Sequence, residues 1–432
     1  MKVSIIGAGL AGCEAAYQLA TRGVEADLYE MRPAKSSPAH HSDKFAELVC
    51  SNSLRADRLE NSAGLLKEEM RLLGSFIIAC ADETRLPAGG ALAVDRDGFS
   101  KLVTEKISAL KLITIHREEV TKIPEGIVII AAGPLCSAAL ADEIKGLTGE
   151  EQLAFYDAAA PIVTLDSLNM DVIYRAGRYG RGDDYLNCPM TKAQYEFFIE
   201  QLLDAEVAEV HGFEKSNVFE GCMPVEVMAS RGIQTLAFGP CKPIGLPDPK
   251  TGKEPYAVVQ LRQDDAAATI FNIVGFQTHL KFAEQKRVFS LIPGLENAEF
   301  VRYGVMHRNT YLCSPKLLNY GYQLINKPDV FFAGQISGVE GYVESIASGL
   351  SAALSVFAYI NGKPFPDFTR KTAIGALGHY ISSGSGKDFQ PMNINFGIME
   401  PLQVRIKGKQ EKNLAISKIA LEKITEIRTE IV

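Results

Sequence analysis

The chain has 432 residues, enough for two or three domains, and its 47% hydrophobic and 22% charged residues are ordinary for a folded globular protein. A formal net charge of −7 excludes a protein that binds nucleic acid over its whole surface and confines any polyanion contact to a local patch. Eight cysteines without a CxxC, and histidines not grouped with them, suggest neither a metal site nor a disulfide framework. The chain enters a strand at Val3 with no basic leader or cleavage site, and no apolar run reaches membrane-spanning length. A cytoplasmic location with no membrane partner is therefore expected.

Val3, Ser4, Ile5 and Ile6 predict a short buried strand that turns through Gly7, Ala8, Gly9, Leu10, Ala11 and Gly12 into a helix reaching about residue 22. This is a GxGxxG fingerprint for a dinucleotide. The first glycine allows the tight turn, the second lets backbone approach a pyrophosphate, and the third lets helix and strand pack closely. The anion sits on the helix N-terminus. A second strand over 25–29 ends at Glu30, placed about twenty residues beyond the loop, where a carboxylate accepts hydrogen bonds from a ribose. The fingerprint alone leaves FAD and NAD open.

Residues 31–45 read as a polar, proline-punctuated loop that leads into Glu47-Leu48-Val49-Cys50 and a polar turn over 51–55. A helix follows over 61–73, with Leu65, Leu66, Met70 and Leu73 at helical spacing. Pro87-Ala88-Gly89-Gly90 breaks the chain before residues 91–96 and a helix over about 99–110. Strands are predicted at 112–116 and 127–132, the second an apolar run ending in Gly133-Pro134.

From about 155 to 293 the chain turns β-rich, around 258–261 and 269–276, with a helix near 192–203. A last buried strand over 329–335 leads through Gly338 and Gly341 to a small-residue helix at about 344–359. Such a late strand, glycine and helix unit returns to the flavin in FAD folds. No second GxGxxG is present, so a permanent nicotinamide domain is not expected and the cofactor narrows to FAD. The expected architecture is α/β, with a Rossmann-like FAD-binding domain of the two-dinucleotide flavoprotein type split into 1–154 and 295–362. Residues 155–294 form an inserted α/β substrate domain, and 363–432 a C-terminal segment with possible RNA contact.

A flavin carries hydride, so the chain's own chemistry is sought in groups that hold or activate a substrate. Cys13, on the first helix, and Cys80, in the apolar string FIIACA, read as core. Cys136 and Cys313 stand beside turns with nothing nearby to lower a thiol pKa. Cys50 and Cys222 differ: Cys50 enters a polar turn with Arg55 close behind, and Cys222 lies between Gly221 and Met223-Pro224. Rigid neighbours and a nearby cation or dipole favour a directed thiolate, although an inert buried cysteine remains the alternative. The groups Arg262-Gln263-Asp264-Asp265, Gln277-Thr278-His279 and Met306-His307-Arg308-Asn309 read mainly as structural polar turns at a sheet edge. His40 and His41 read as a possible exposed pair without a ligand.

Residues 401–432 carry seven Lys or Arg against four Glu. Arg405, Lys407 and Lys409 alternate along a predicted strand, so all three can face phosphates from one side. A charged, protected sheet edge explains the same pattern.

Several longer runs carry a resemblance: GAGLAGCEAA, YEMRP, HHSDKFAELVCSNSLR, PAGGALAVDR, YDAAAPIV, EGCMPVEV, VVQLRQDDA, GFQTHL, RYGVMHRNT and AGQISGVEGYVESIASGL. Together, from Val3 to about Phe396, they resemble the folate- and FAD-dependent tRNA (uracil-5-)-methyltransferase family, TrmFO. The resemblance implies formation of 5-methyluridine in the T-loop of tRNA. Methylenetetrahydrofolate would supply the carbon, FADH2 the electrons that finish it as methyl, and NAD(P)H the reduction of the flavin. It places Cys50 and Cys222 as the two acting cysteines, Cys222 as the uracil nucleophile and Cys50 as a general acid/base or flavin-side partner. It assigns residues 7–12 to the pyrophosphate and Glu30 to the ribose. Arg32, Gly133, Gly334, Gln335, Gly341 and Tyr342 fall near the cofactor. His279 and Arg308 become candidates for folate or RNA. A related FAD-dependent uridine modification, of rRNA or of a tRNA wobble position, is the alternative.

Overall fold

The computed structural model describes residues 2–37, 39–149, 153–208, 223–384, 386 and 389–431, with side chains at 153–157 and 306–308 not described. Cys222 thus lies outside the described residues, as does the side chain of Arg308.

Five parallel strands form the sheet that carries the fingerprint, in the order Val330–Phe332, Ile127–Ile130, β1 (Lys2–Ile6), β2 (Glu25–Tyr29), Ile113–His116. Register pairs Val3 with Ala26 on one side and Ile127 on the other, and Ile129 with Phe331. Residues Ile127 to Ile130, on the strand beside β1, are all buried, as the apolar run requires when a parallel sheet is covered on both faces. Helix α1 (Leu10–Ala20) crosses the late helix Tyr342–Ile360 so closely that a Cβ on Gly349 would lie 2.3 Å from the Ala11 carbonyl oxygen. That contact brings residues more than three hundred positions apart to one edge of the sheet.

The late helix corrects one sequence expectation, because Tyr342–Ile360 is long and apolar enough by composition to span a membrane. Its most apolar window is 83% buried inside the protein, so its hydropathy is that of a core helix.

The string at 76–81 becomes the helix Phe76–Glu83. Ser75 Oγ accepts from Ile78 N, and the buried Glu14 carboxylate on α1 accepts from Phe76 N (3.2 Å), Ile77 N (2.8 Å) and Ser75 Oγ (2.8 Å). A carboxylate at a helix N-terminus satisfies amides that lack intrahelical partners. The cap comes from another element, which the local sequence does not disclose.

A six-stranded antiparallel sheet forms the second layer system, in the order Tyr174–Arg175, Tyr185–Met190, Ala257–Gln263, Ile270–Ile273, Ile162–Thr164, Phe300–Arg302. Its last strand lies beyond residue 294. The helices Lys192–Asp204 and Phe282–Phe289 bury Tyr195, Phe198, Leu202, Val288 and Phe289 against it in a core separate from the first. Between the two units runs an antiparallel pair, Leu153–Ala158 with Met306–Tyr311.

The tail departs from expectation. Residues 401–408 form no strand, and Arg405 and Lys407 lie in exposed irregular chain, while Lys409 opens the helix Lys409–Ile431. No neighbouring strand pairs with this stretch, and Gly408 at φ +90° turns the chain into the helix. Ile416, Ala420, Ile424 and Ile427, at helical spacing, enter the first core. Asn413 Nδ2 and Ser417 Oγ donate to the carbonyls of Glu60 and Leu59. The C-terminal helix is thus packed into the nucleotide-binding half.

Candidate functional site

A cleft, with about 1020 Å³ of empty space when the open solvent at its mouth is included, lies at the C-terminal ends of the parallel strands, where α/β sheets bind ligands. Its wall includes Gly7, Gly9, Leu10, Ala11, Glu30, Arg32, Gly133, Gly334, Gln335 and Tyr342, which the sequence places far apart. Gly341 is the residue before Tyr342, with φ +107° and a missing Cβ that would fall 2.5 Å from Glu344 Oε2. Ala8 and Gly12, of the same loop, are buried and do not line the cleft.

The glycines divide their duties differently from the simple fingerprint. A Cβ on Gly7 would meet Ala131 O at 2.6 Å, and one on Gly12 would meet Gly7 O at 1.8 Å, so both are fixed by contacts of backbone with backbone. Nothing lies within 4 Å of the Cβ position of Gly9. Gly9 caps α1 without a side chain over the amides, leaving open space where an anion meets the helix N-terminus.

Glu30 and Arg32 are both buried, and they hold each other. Arg32 Nε donates to Glu30 Oε1 (2.9 Å) and Nη2 to Oε2 (3.1 Å), while Ala8 N also donates to Oε2 (3.3 Å). A third nitrogen, Nη1, reaches Glu47 Oε2 at 3.0 Å. Burial alone would raise the Glu30 carboxyl, but the Arg32 hydrogen bonds and charge outweigh it and hold it below the usual carboxylate range. Arg32 orients the two carboxylates at the cleft, and with Arg32 N also donating to Glu30 Oε1 at 3.1 Å, each Glu30 oxygen accepts two hydrogen bonds.

Cys50 is half-buried and lies next to Val49, which lines the cleft. The Tyr342 hydroxyl stands 3.0 Å from Cys50 Sγ. Three arginines converge on the same loop from elsewhere in the chain. Arg96, at the start of the helix Arg96–Ser108, pairs bidentately with Asp264 at 3.0 Å and donates to Leu48 O. Arg262 donates to Asn52 Oδ1 (3.0 Å) and Ser51 Oγ (2.8 Å), and Arg302 Nη1 to Val49 O (3.3 Å). Asn52 Nδ2 in turn donates to the carbonyls of Val94 and Gln263 (2.9 and 3.0 Å). The group at 262–265 is thus structural, and it ties the second sheet to the cysteine loop.

Arg96 and Arg302 escaped the sequence reading. The one available signal was their position inside the recognisable runs PAGGALAVDR and RYGVMHRNT, where each begins or ends a motif. Cys13 and Cys80 are fully buried, as expected of core thiols, and burial pushes both up, Cys80 to about 12. Cys136 lines the cleft, and burial raises it as well. His40 is half-buried at the cleft, its Nδ1 2.6 Å from Ser37 Oγ. His279 is buried with its Nδ1 against Glu226, whose Oε1 also accepts from His279 N at 3.0 Å. Among the described residues no group of three or more His, Cys, Asp or Glu could hold a metal ion.

The fold and the cleft define a Rossmann-like flavoprotein architecture, with a cysteine fixed where the two layer systems meet. The family described as GIDA, glucose inhibited division protein A, matches residues 2–364. A "Methylenetetrahydrofolate--tRNA-(uracil-5-)-methyltransferase TrmFO" of Listeria monocytogenes serotype 4b (strain F2365) is 60% identical over 430 residues, which cover 99% of each chain. The protein of the same name from Desulforamulus reducens is 61% identical over 427 residues, 98% of this chain and 97% of that one. Among solved structures, Aquifex aeolicus GidA in its form I crystal aligns with a TM-score of 0.72 at 16% identity, covering 100% of this chain and 76% of that chain, a likeness of fold. The chain belongs to the GidA family and, within it, to the TrmFO group.

Proposed function

We propose that this chain is a methylenetetrahydrofolate- and FAD-dependent tRNA (uracil-5-)-methyltransferase that converts the T-loop uridine to 5-methyluridine. The observation that supports it most directly is the meeting of Cys50 with Tyr342 at the cleft wall, across 292 positions of sequence. The names of relatives at about 60% identity over the whole chain agree. FAD fits the residues present: Gly9 leaves room for the pyrophosphate, Glu30 lines the cleft on the side assigned to the ribose, which would exchange a hydroxyl for one of the donors Glu30 now holds, and Gly334 and Tyr342 line the part assigned to the flavin. Bound and reduced, it supplies the hydride that finishes a one-carbon unit as methyl, and NAD(P)H is the co-substrate that restores it.

The chain's residues have the remaining work. Uracil C5 attacks poorly until a nucleophile adds at C6, and Cys222 is assigned that role. Its sulfur bonds to C6, and the C5–C6 electron pair moves onto the ring carbonyl as an enolate. C5 then attacks the methylene carbon of the folate, and the bond from that carbon to one folate nitrogen breaks with its electron pair staying on nitrogen. Cys50 takes the C5 proton as the remaining carbon–nitrogen bond breaks in the same way, which releases tetrahydrofolate and leaves the carbon doubly bonded to C5. Hydride, which the reduced flavin would supply, adds to that carbon as the Cys222 sulfur leaves C6 and the C5–C6 double bond returns. A uridine held inside a tRNA elbow must leave its stack to reach these groups. The exposed Arg405, Lys407 and Lys409 are offered to RNA phosphates, and His279 and Arg308 to folate or RNA.

Mass analysis of nucleosides decides the matter. Flavin-loaded protein with unmodified tRNA, labelled methylenetetrahydrofolate and NADPH yields labelled 5-methyluridine; no label in uridine overturns the assignment. Transfer to rRNA and not to tRNA would move it to the related activity. Cys222→Ala abolishes turnover and keeps the yellow flavin, whereas loss of flavin would make Cys222 structural.

A further inference from the structure

The Tyr342 hydroxyl makes three contacts with one short segment. Its oxygen accepts from Cys50 N at 2.8 Å and from Ser51 N at 3.4 Å, and it stands 3.0 Å from Cys50 Sγ. A phenol oxygen has one proton to give and room for two hydrogen bonds to accept. With both acceptor directions turned to backbone amides, the proton points to the sulfur. Cys50 Sγ therefore receives a hydrogen bond from Tyr342, and such a bond is strongest to a thiolate.

The charges around the loop favour the same state. On its own segment, Glu47 is bound to Arg32. From the helix Arg96–Ser108 comes Arg96, balanced by Asp264. Arg302 comes from the strand Phe300–Arg302 and donates to a carbonyl. Arg262, from the strand Ala257–Gln263, is only 7% exposed, and both its described hydrogen bonds go to neutral oxygens of Ser51 and Asn52, on either side of the segment's turn. A guanidinium buried among neutral acceptors gains from an anion nearby. Burial pulls Arg262 below its ordinary value, with Arg96 adding to the fall, while Tyr185, Asp264 and, least of these, Cys50 act the other way.

We propose that the Tyr342 hydroxyl and the Arg262 guanidinium are positioning residues that hold the Cys50 sulfur as a thiolate, ready to take a proton rather than to give one. The inference deepens the proposed function, since it fixes the direction of the proton step: Cys50 S⁻ takes the C5 proton and becomes S–H, which returns to solvent between turnovers. It also separates the two cysteines by task without reference to their order in the chain. Tyr342 acts through Cys50, by aiming one hydrogen at sulfur.

The test reads Cys50 itself, in flavin-loaded protein carrying Cys222→Ala. Iodoacetamide alkylation of the Cys50 peptide is followed by mass spectrometry from about pH 5 to about pH 9. The parent is expected to react with a midpoint below the ordinary thiol value of about 8.5. Tyr342→Phe and Arg262→Gln are each expected to slow alkylation at about pH 6 roughly tenfold and to move the midpoint up. An ordinary midpoint in the parent overturns the proposal, as do variants that keep flavin and leave a low midpoint unmoved. If a variant fails to bind flavin, the parent's midpoint and the other variant decide. A low, variant-sensitive midpoint in a protein that does not methylate tRNA would sink the proposed function and leave this inference standing.

Discussion

The loop at 7–12 and the loop at 48–52 both border the cleft, yet they are made from different materials. The first is shaped by backbone packed on backbone, with Gly12 against Gly7 and Gly7 against Ala131, and it presents peptide dipoles to a ligand. The second is held by side chains from distant segments: Tyr342 on its amides, Arg262 on Ser51 and Asn52, Arg96 on Leu48, Arg302 on Val49. A cradle for a constant cofactor can be built once, locally, from small residues. A sulfur that must change protonation needs charge and directed hydrogen bonds, which the chain gathers from two helices and two strands of the antiparallel sheet.

The contrast predicts different failures. Asp264→Ala leaves Arg96 buried without its carboxylate and should cost about 3–5 kcal/mol, read by urea unfolding. The flavin should still bind in the folded fraction; loss of less than about 1 kcal/mol would show that the charge pair does not secure the loop. Gly12→Ala forces a methyl toward a backbone oxygen. It should cost about 1–3 kcal/mol and release flavin, seen as lost yellow absorbance on gel filtration, while Cys50 alkylation stays unchanged in the flavin-free parent and variant alike.

A third effect lies in the slope of stability with pH. Glu69 is fully buried and accepts from the amides of Ala373 and Ile374 at 2.7 and 2.9 Å, and burial raises it from 4.5 to about 8. The folded state therefore holds a proton that the unfolded chain has lost over that window, and stability falls as pH rises through it. Glu69→Gln should flatten the fall, measured as Tm at a series of pH values. The comparison is clearest below about pH 7, because Lys67 on the same helix is pulled down by burial to about 7 and loses stability as pH falls toward that value. Equal slopes in parent and variant would remove Glu69 as the source.

The smallest effect belongs to the tail. Replacing Arg405 and Lys407 together by Gln should leave unfolding within about 0.5 kcal/mol, since both are exposed. If they meet RNA phosphates, the slope of log affinity for tRNA against log salt should fall by about one to two. An unchanged slope would take these residues off the RNA surface.

Much of the first unit could be read from the chain alone because its signals are local. The apolar periods gave β1, β2 and Ile127–Ile130 to within a few residues, and the helices 61–73 and 192–203 emerged as Ser62–Leu72 and Lys192–Asp204. The helix Phe76–Glu83 was not legible as a helix, since its cap includes Glu14 from another element. The alternating charges at 405–409 suggested a strand, yet alternation without a partner strand makes none. Cys50 stood out by its turn and its neighbours, but nothing in the local sequence announced Arg96 or Arg302.

The sequence by itself determined the nucleotide cradle, because a tight turn, a close approach and an open helix end each need glycine at a set spacing within six residues. It also marked the two cysteines through long runs shared with a known family. Only the tertiary structure decided how Cys50 is held. Tyr342, Arg96, Arg262 and Arg302 are separated by tens to hundreds of residues, and side chains at such distances are brought together by packing of helices and sheets, which no local period records.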